Sequence, residues 1–218
     1  MSSLQSYAGP RSTTAPRTAT WLGLLTIVGL WFVSRYAIRY YIPGSSVQIG
    51  LTYARRIALL AHISGGIVAL IVGPWQFFTL LRNTHPRVHR IAGYTYLSAV
   101  AVAAPAALLL AATTSNGWAW GFGVGMLGCF WVISTAIAFY AITKRTVSAH
   151  REWMQRSYIA TFAFASFRLL VDYPPMSHLA PAHDLYVSAI WASWVLPMLA
   201  REVLIQMRDL RRIRTYRA

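Results

Sequence analysis

Long apolar stretches separated by short basic loops most constrain how this chain can fold. Each stretch holds about 19–26 residues, enough for an α-helix to cross a ~30 Å hydrocarbon core. The six predicted spans run from about Trp21 to Tyr41, Ile57 to Leu81, Ile91 to Ala112, Trp118 to Thr143, Trp153 to Val171 and Leu185 to Ile205. The sequence therefore predicts an all-α fold, a polytopic membrane helical bundle of about six transmembrane helices.

The composition supports a membrane protein and argues against a nucleic-acid-binding one. Hydrophobic residues make up 56% of the 218 residues and charged residues only 11%, whereas a soluble domain is about one quarter charged. The net charge of +15 is confined to loops, so we expect the lipid bilayer as partner and no nucleic acid. The spans form one transmembrane domain over residues 19–206, between a disordered N-terminal tail at 1–18 and a basic cytoplasmic tail at 207–218.

The distribution of basic residues predicts the orientation. The loops after the second and fourth spans are rich in Arg and Lys, whereas the loops after the third and fifth contain neither. Because cytoplasmic loops carry the positive charge, both termini are predicted to be cytoplasmic, in the inner (plasma) membrane. Four basic residues do not fit this rule, since they would lie near the outer face: Arg35, Arg39, Arg55 and Arg56. Either they snorkel, or the first span is shorter than predicted.

Ionisable residues at the predicted inner face form one candidate site. They are His85, His89, Arg90, His150, Arg151, Glu152 and Arg156, together with Gln76, Arg82 and Glu202. His85 and His89 are four residues apart and, with His150, would supply three imidazoles to a metal. The alternative is that these residues contact lipid phosphates.

A second polar set is predicted near the outer face. It contains His62, Arg168, Asp172, His178, His183 and Asp184. Arg168 lies about 18 Å along the helix from Arg156, and a charge at that depth needs a partner. Asp172, four residues later, is the predicted partner. This set is either a structural ion pair or a polar pocket in which His62 acts as a ligand or proton carrier.

Glycine patches within two spans predict close helix packing. Gly65 and Gly66 lie in the second span, and Gly121, Gly123 and Gly125 lie in the fourth. Small residues let helix backbones approach closely in a membrane.

Four segments resemble a known family. HISGGIVALIVGPWQF, LRNTHPRVHRIAGYTYL, AHREWMQRSYIATFAFASFRL and IWASWVLPMLARE are similar to the bacterial predicted membrane proteins called domain of unknown function 2306, over about residues 55–205. The resemblance implies a fold and a topology but no activity. It also implies that the residue pattern of the family includes His62, Gln76, Arg82, His89, Arg90, His150, Arg156, Arg168 and Glu202. His85 and His178 are outside the family pattern, which weakens the three-imidazole site.

The first functional hypothesis is a transmembrane redox protein that binds haem b, because the architecture is loosely similar to that of b-type cytochromes. His89 and His150 would be the metal ligands, and His62 is a further cofactor-binding candidate. Polar side chains would contact the cofactor, and we expect Gln76, Arg82, Arg90 and Arg156 in this role.

The second hypothesis is a membrane enzyme that acts on a lipid or isoprenoid substrate, such as a terpene cyclase or transferase. Aromatic residues would stabilise cationic intermediates, and ionisable groups would transfer protons. The candidate catalytic residues are His62, His150, Arg168, Asp172 and Glu202. A third hypothesis is a non-catalytic transporter or assembly subunit.

Overall fold

The computed structural model describes residues 14–42, 51–172 and 180–216, with side chains placed for 20–42, 51–172 and 180–210. This part of the chain contains seven α-helices and no strand, so the all-α prediction is confirmed. The helices are α1 (Thr14–Phe32), α2 (Tyr53–Val72), α3 (Thr79–Thr84), α4 (Pro86–Ala112), α5 (Trp118–Thr143), α6 (Val147–Val171) and α7 (Ala182–Tyr216).

Several helix ends follow from local sequence. The side chain of Thr52 caps α2 by accepting a hydrogen bond from the backbone N–H of Arg55 at 3.4 Å. Pro86 begins α4, where its missing N–H costs nothing. A π-helical turn, Val33–Ala37, and a 3₁₀ turn, Ile38–Tyr41, extend α1. These turns change the register of the side chains at the end of the first span.

Among the described residues, five helical segments are long and apolar enough to cross a membrane. They are Thr20–Tyr41, Tyr53–Phe77, Pro86–Ala112, Trp118–Thr143 and Ala182–Leu210. Helix α6, the predicted fifth span, has 25 residues but contains four charged ones: Arg151, Glu152, Arg156 and Arg168. It packs against α1, α2, α5 and α7, so much of its polar surface meets protein instead of lipid. A polytopic membrane bundle accounts for all six long helices.

Of the six predicted spans, the fourth, Trp118 to Thr143, coincides with its helix at both ends, and the others differ at one or both ends, as for the second and fifth. The second span was predicted to reach Leu81, but α2 ends at Val72 and is followed by a 3₁₀ turn, Pro74–Phe77, and the short α3. Helix α6 starts at Val147 instead of the predicted Trp153. Polar residues at the ends of spans can still form helical hydrogen bonds, so hydropathy alone misplaces such boundaries.

Close packing of α2 against α4 depends on Gly65. A methyl group at this position would lie 2.6 Å from the carbonyl oxygen of Ala99 and 2.9 Å from the Cβ of Ala103. The packing prediction is therefore correct for Gly65. Gly66 differs, because a methyl group there would have no atom within 4 Å.

The helix termini lie at two opposite ends of the bundle. At one end, Arg55 at the start of α2 donates to the carbonyl oxygen of Thr113 after α4, and Tyr36 after α1 donates to Asp172 after α6. Gly117, before α5, lies against His183 near the start of α7. We call this the cavity end and the other the opposite end. The basic loops of the orientation prediction lie at the opposite end, so that prediction places the cavity end outside.

Candidate functional site

A cavity of about 650 Å³ opens at the cavity end and is lined by residues from all six long helices or their extensions. Along α2 its wall is formed by Arg55, Leu59, His62, Gly66 and Leu70, among others. Fifteen residues of helix separate Arg55 from Leu70, so the cavity extends about 22 Å along α2. Its volume is typical of sites that enclose a small molecule, about 300–1,000 Å³.

The mouth of the cavity is positively charged. Arg55 and Arg168 line it, together with the polar side chains of Asn116 and His183. Among the residues that the structure describes, no carboxylate lines the cavity. The mouth therefore favours an anionic group.

Arg168 is held at this mouth by a cluster that includes one residue the sequence analysis missed. The predicted ion pair with Asp172 is present but long, with 3.9 Å between Nη1 and Oδ1. Asp172 also accepts a hydrogen bond from the hydroxyl of Tyr36, and the Arg168 guanidinium lies 5.1 Å from the centre of the Tyr36 ring. Tyr36 is buried in the π-helical turn after α1. The Arg-Tyr pairs at 35–36 and 39–40 were the available sequence signal.

His62 lies on the cavity wall, about 10 Å along α2 from Arg55. Its Nδ1 is 3.1 Å from the carbonyl oxygen of Ala103. A carbonyl only accepts, so Nδ1 carries the hydrogen and, in the neutral ring, Nε2 keeps the lone pair. The rings of Trp131 and Phe164 lie edge-on to the imidazole, with centroids 6.4 and 6.2 Å away. His62 thus has one nitrogen fixed by the fold and one available for chemistry.

A buried hydrogen-bond network lies behind the cavity wall, and two of its members, Trp131 and Thr161, line the cavity. The hydroxyl of Tyr96 is 2.7 Å from that of Ser157 and 2.8 Å from that of Thr161. The indole N–H of Trp131 donates to Thr161 at 2.9 Å, and Thr135 is 2.6 Å from Ser157. This network fixes the orientation of Trp131, which lines the cavity. The sequence analysis missed it, although the four-residue spacing of Ser157 and Thr161 places both hydroxyls on one helix face.

The remaining residues predicted for the outer set do not all lie in the cavity. His183 lines the cavity mouth, whereas Asp184 is exposed and is not part of the lining. His178 lies outside the described residues.

At the opposite end, three predicted cofactor-binding residues lie near one another: His89, His150 and Arg82. His150 Nδ1 is 2.8 Å from the carbonyl oxygen of Ala138. The Nδ1 of His89 and the Nε2 of Gln76 are buried and, within the described part of the chain, have no hydrogen-bond partner. A buried polar nitrogen without a partner is costly, and His89 Nδ1 donates or accepts depending on its tautomer, so both atoms are candidates for contact with a ligand.

Two further residues of the predicted inner set are exposed. His85 is exposed and bonds to Thr84 at 2.8 Å, and Arg90 is also exposed. Within the described residues, no three His, Cys, Asp or Glu side chains are arranged to hold a metal ion. The structure therefore does not form the three-imidazole site.

Arg156 and Glu202 belong to an ion-pair cluster that joins α6 to α7. The carboxylate of Glu202 accepts from Arg156 at 2.7 Å and from Arg201 at 2.6 Å. Arg201 also donates to Gln155 at 3.0 Å, and Glu152 lies 3.6 Å from Arg156. Glu202 is thus held between two guanidinium groups, an arrangement suited to joining helices. Arg201 was not singled out from the sequence.

Comparison with known protein families gives one match. The model of a family described as Predicted membrane protein (DUF2306) matches residues 59–205. The chain belongs to this family. The match confirms the resemblance, and it covers His62 and Arg168 in the cavity as well as His89 and His150 at the opposite end. Tyr36 and Arg55, which complete the cavity mouth, lie before the matched segment. Searches of curated proteins and of solved structures gave no significant match.

Proposed function

We propose that the protein is a membrane-embedded enzyme that acts on a lipophilic substrate with an anionic head, of the lipid or isoprenoid class. The observation that carries this proposal is the polarity of one cavity. Two guanidinium groups lie at its mouth, the imidazole of His62 lies partway down its wall, and mostly apolar side chains line the deeper part. Such a gradient matches a molecule with a charged end and a long apolar body.

The aromatic lining suits an isoprenoid body. Trp120, Trp131, Phe164 and Phe167 all line the cavity. Aromatic faces attract positive charge, so they would stabilise a carbocation in a site from which water is excluded. The cavity has no carboxylates in its described lining to hold Mg²⁺ against a diphosphate. Chemistry that begins by proton transfer therefore fits better than metal-assisted loss of diphosphate.

His62 is the residue we propose for proton transfer. Its Nδ1–H is held by Ala103, so Nε2 takes up a proton as a base and releases it as an acid. Arg168 would bind the anionic head and orient the substrate, with Tyr36 and Asp172 fixing its position.

The test uses purified protein in nanodiscs with farnesyl phosphate and farnesol as probes. Trp120 and Trp131 line the cavity, so binding should change the intrinsic fluorescence, and mass spectrometry should detect a product. His62→Gln should retain binding and lower turnover by a factor of about 10²–10⁴. Arg168→Gln should weaken the binding of farnesyl phosphate by about tenfold and should affect the binding of farnesol much less.

The matched control is Arg56→Gln, because Arg56 is exposed, neighbours Arg55 and does not line the cavity. Equal effects of Arg56→Gln and Arg168→Gln would refute the proposed head-group site. Binding of farnesyl phosphate without conversion of any prenyl or lipid probe would refute the enzymatic part and favour a carrier role.

A second candidate, haem binding, is favoured by one observation at the opposite end. Because Nδ1 of His150 is bound to a carbonyl, its Nε2 is left as a metal-binding nitrogen, and His89 lies nearby. These two imidazoles support the haem b candidate: they would hold the iron, and Arg82 would contact a propionate. Gln76 is the further predicted cofactor contact. Haem would supply one-electron transfer when bound.

The absorbance spectrum tests this candidate. Protein purified after haem-replete expression should show a Soret band, which His89→Ala and His150→Ala should remove. His85→Ala is the control, since His85 is exposed and bonds to Thr84. A colourless wild-type protein would end the haem proposal without affecting the cavity proposal.

A further inference from the structure

Gly66 lies on the cavity wall one helical turn beyond His62. A methyl group at Gly66 would have no atom within 4 Å, so any side chain there would extend into open space. The preceding glycine is different, because a methyl group at Gly65 would lie 2.6 Å from a backbone oxygen of α4. The absence of a side chain at Gly65 serves helix packing, whereas at Gly66 it leaves the cavity open.

The position of Gly66 relative to the charged mouth is fixed by the geometry of α2. Gly66 is about 16 Å along the helix from Arg55, and Leu70 is about 22 Å from it. Ile63, Ile67 and Leu70 also line this deeper part. A ligand whose head lies at the mouth would therefore pass His62 first and then place its apolar end beside Gly66.

We propose that Gly66 determines the length of apolar chain that the cavity accepts. This inference rests on the proposed binding of a lipophilic substrate with an anionic head. Without a side chain at position 66, a long chain continues past His62 towards Leu70. A bulky side chain would block this passage and would exclude long chains while short ones still reach His62.

The experiment measures binding of geranyl, farnesyl and geranylgeranyl phosphates to full-length protein in nanodiscs by tryptophan fluorescence. Each buried methylene group contributes to affinity, so the wild-type protein should bind the longer chains more tightly. Gly66→Phe should raise the Kd for geranylgeranyl phosphate by about tenfold or more. It should change the Kd for geranyl phosphate by less than about twofold. Gly66→Leu serves as a second variant and should give an intermediate effect.

Gly23→Phe is the matched control. Gly23 is also a helical glycine with nothing within 4 Å of an added methyl group, but it does not line the cavity. It should leave the chain-length dependence unchanged.

The outcomes separate this inference from the proposal on which it rests. If the wild-type protein binds none of the three phosphates, the proposed function fails, and this inference with it. If the wild-type protein binds them and the variants at Gly66 weaken all three equally, or none, then Gly66 does not determine chain length although the cavity binds the ligand. A selective loss of the longest chain supports the inference.

Discussion

Single residues of the same type have different roles in this protein because their surroundings differ. Arg156 is held by two carboxylates at the α6–α7 contact and joins helices. Arg168, three turns later on α6, has a long ion pair with Asp172, stacks on Tyr36 and lines a cavity. The first guanidinium is committed to structure, and the second keeps donors available for a ligand.

At the residue scale, we predict a measurable loss of stability for Tyr36→Phe. The substitution removes the hydroxyl that donates to Asp172 and retains the ring on which Arg168 stacks. The loss of one hydrogen bond to a charged group should cost about 1–3 kcal/mol. The measurement is thermal unfolding in detergent, with Asp172→Asn and the double variant completing a cycle. If the two single effects simply add, the contact between Tyr36 and Asp172 contributes nothing.

At the scale of elements, two adjacent glycines on α2 give opposite predictions. Gly65→Ala should destabilise the protein by about 1–3 kcal/mol, because its methyl group would contact the backbone of α4 at 2.6 Å. Gly66→Ala should be neutral or stabilising by up to about 1 kcal/mol, because alanine favours helix and the site has space. The melting temperatures of the two variants in the same detergent test both predicted changes in stability. Similar losses in both variants would contradict the packing of α2 described above.

Helix α6 contains polar side chains within the bundle because neighbouring helices supply hydrogen bonds to them. Its hydroxyl-bearing residues Ser157 and Thr161 would be costly in lipid, but Tyr96 of α4 and Trp131 of α5 supply hydrogen bonds to them. The helix is therefore less apolar than its neighbours and still lies among them.

At the scale of the whole molecule, the positive-inside rule predicts that the cavity end faces away from the cytoplasm. Cysteine labelling in intact cells tests this prediction. Cys129 is the only cysteine, so Cys129→Ala provides the background. Ser115→Cys, at the cavity end, should react with a membrane-impermeant maleimide from outside. Ser148→Cys, at the opposite end, should react only after lysis, since both positions are exposed. The reverse pattern would show that the cavity opens to the cytoplasm.

The sequence by itself determined the fold class and much of the candidate residue set. Apolar stretches of membrane-spanning length require helices, because lipid cannot satisfy backbone hydrogen bonds. Charged and imidazole groups within those stretches are costly in lipid, which is why His62 and Arg168 stood out. The four-residue spacing also correctly paired Arg168 with Asp172.

Only the tertiary structure decided which of these residues meet and what surrounds them. The roles of Tyr36, Gly66 and the network around Tyr96 depend on helices that are distant in sequence, so the local pattern at each position did not define them. Likewise, only the packing of α6 against α7 shows that Glu202, a predicted catalytic residue, lies between Arg156 and Arg201. Helical periodicity fixes the face on which a side chain lies, whereas its partner on that face, or the open space there, depends on how the helices pack.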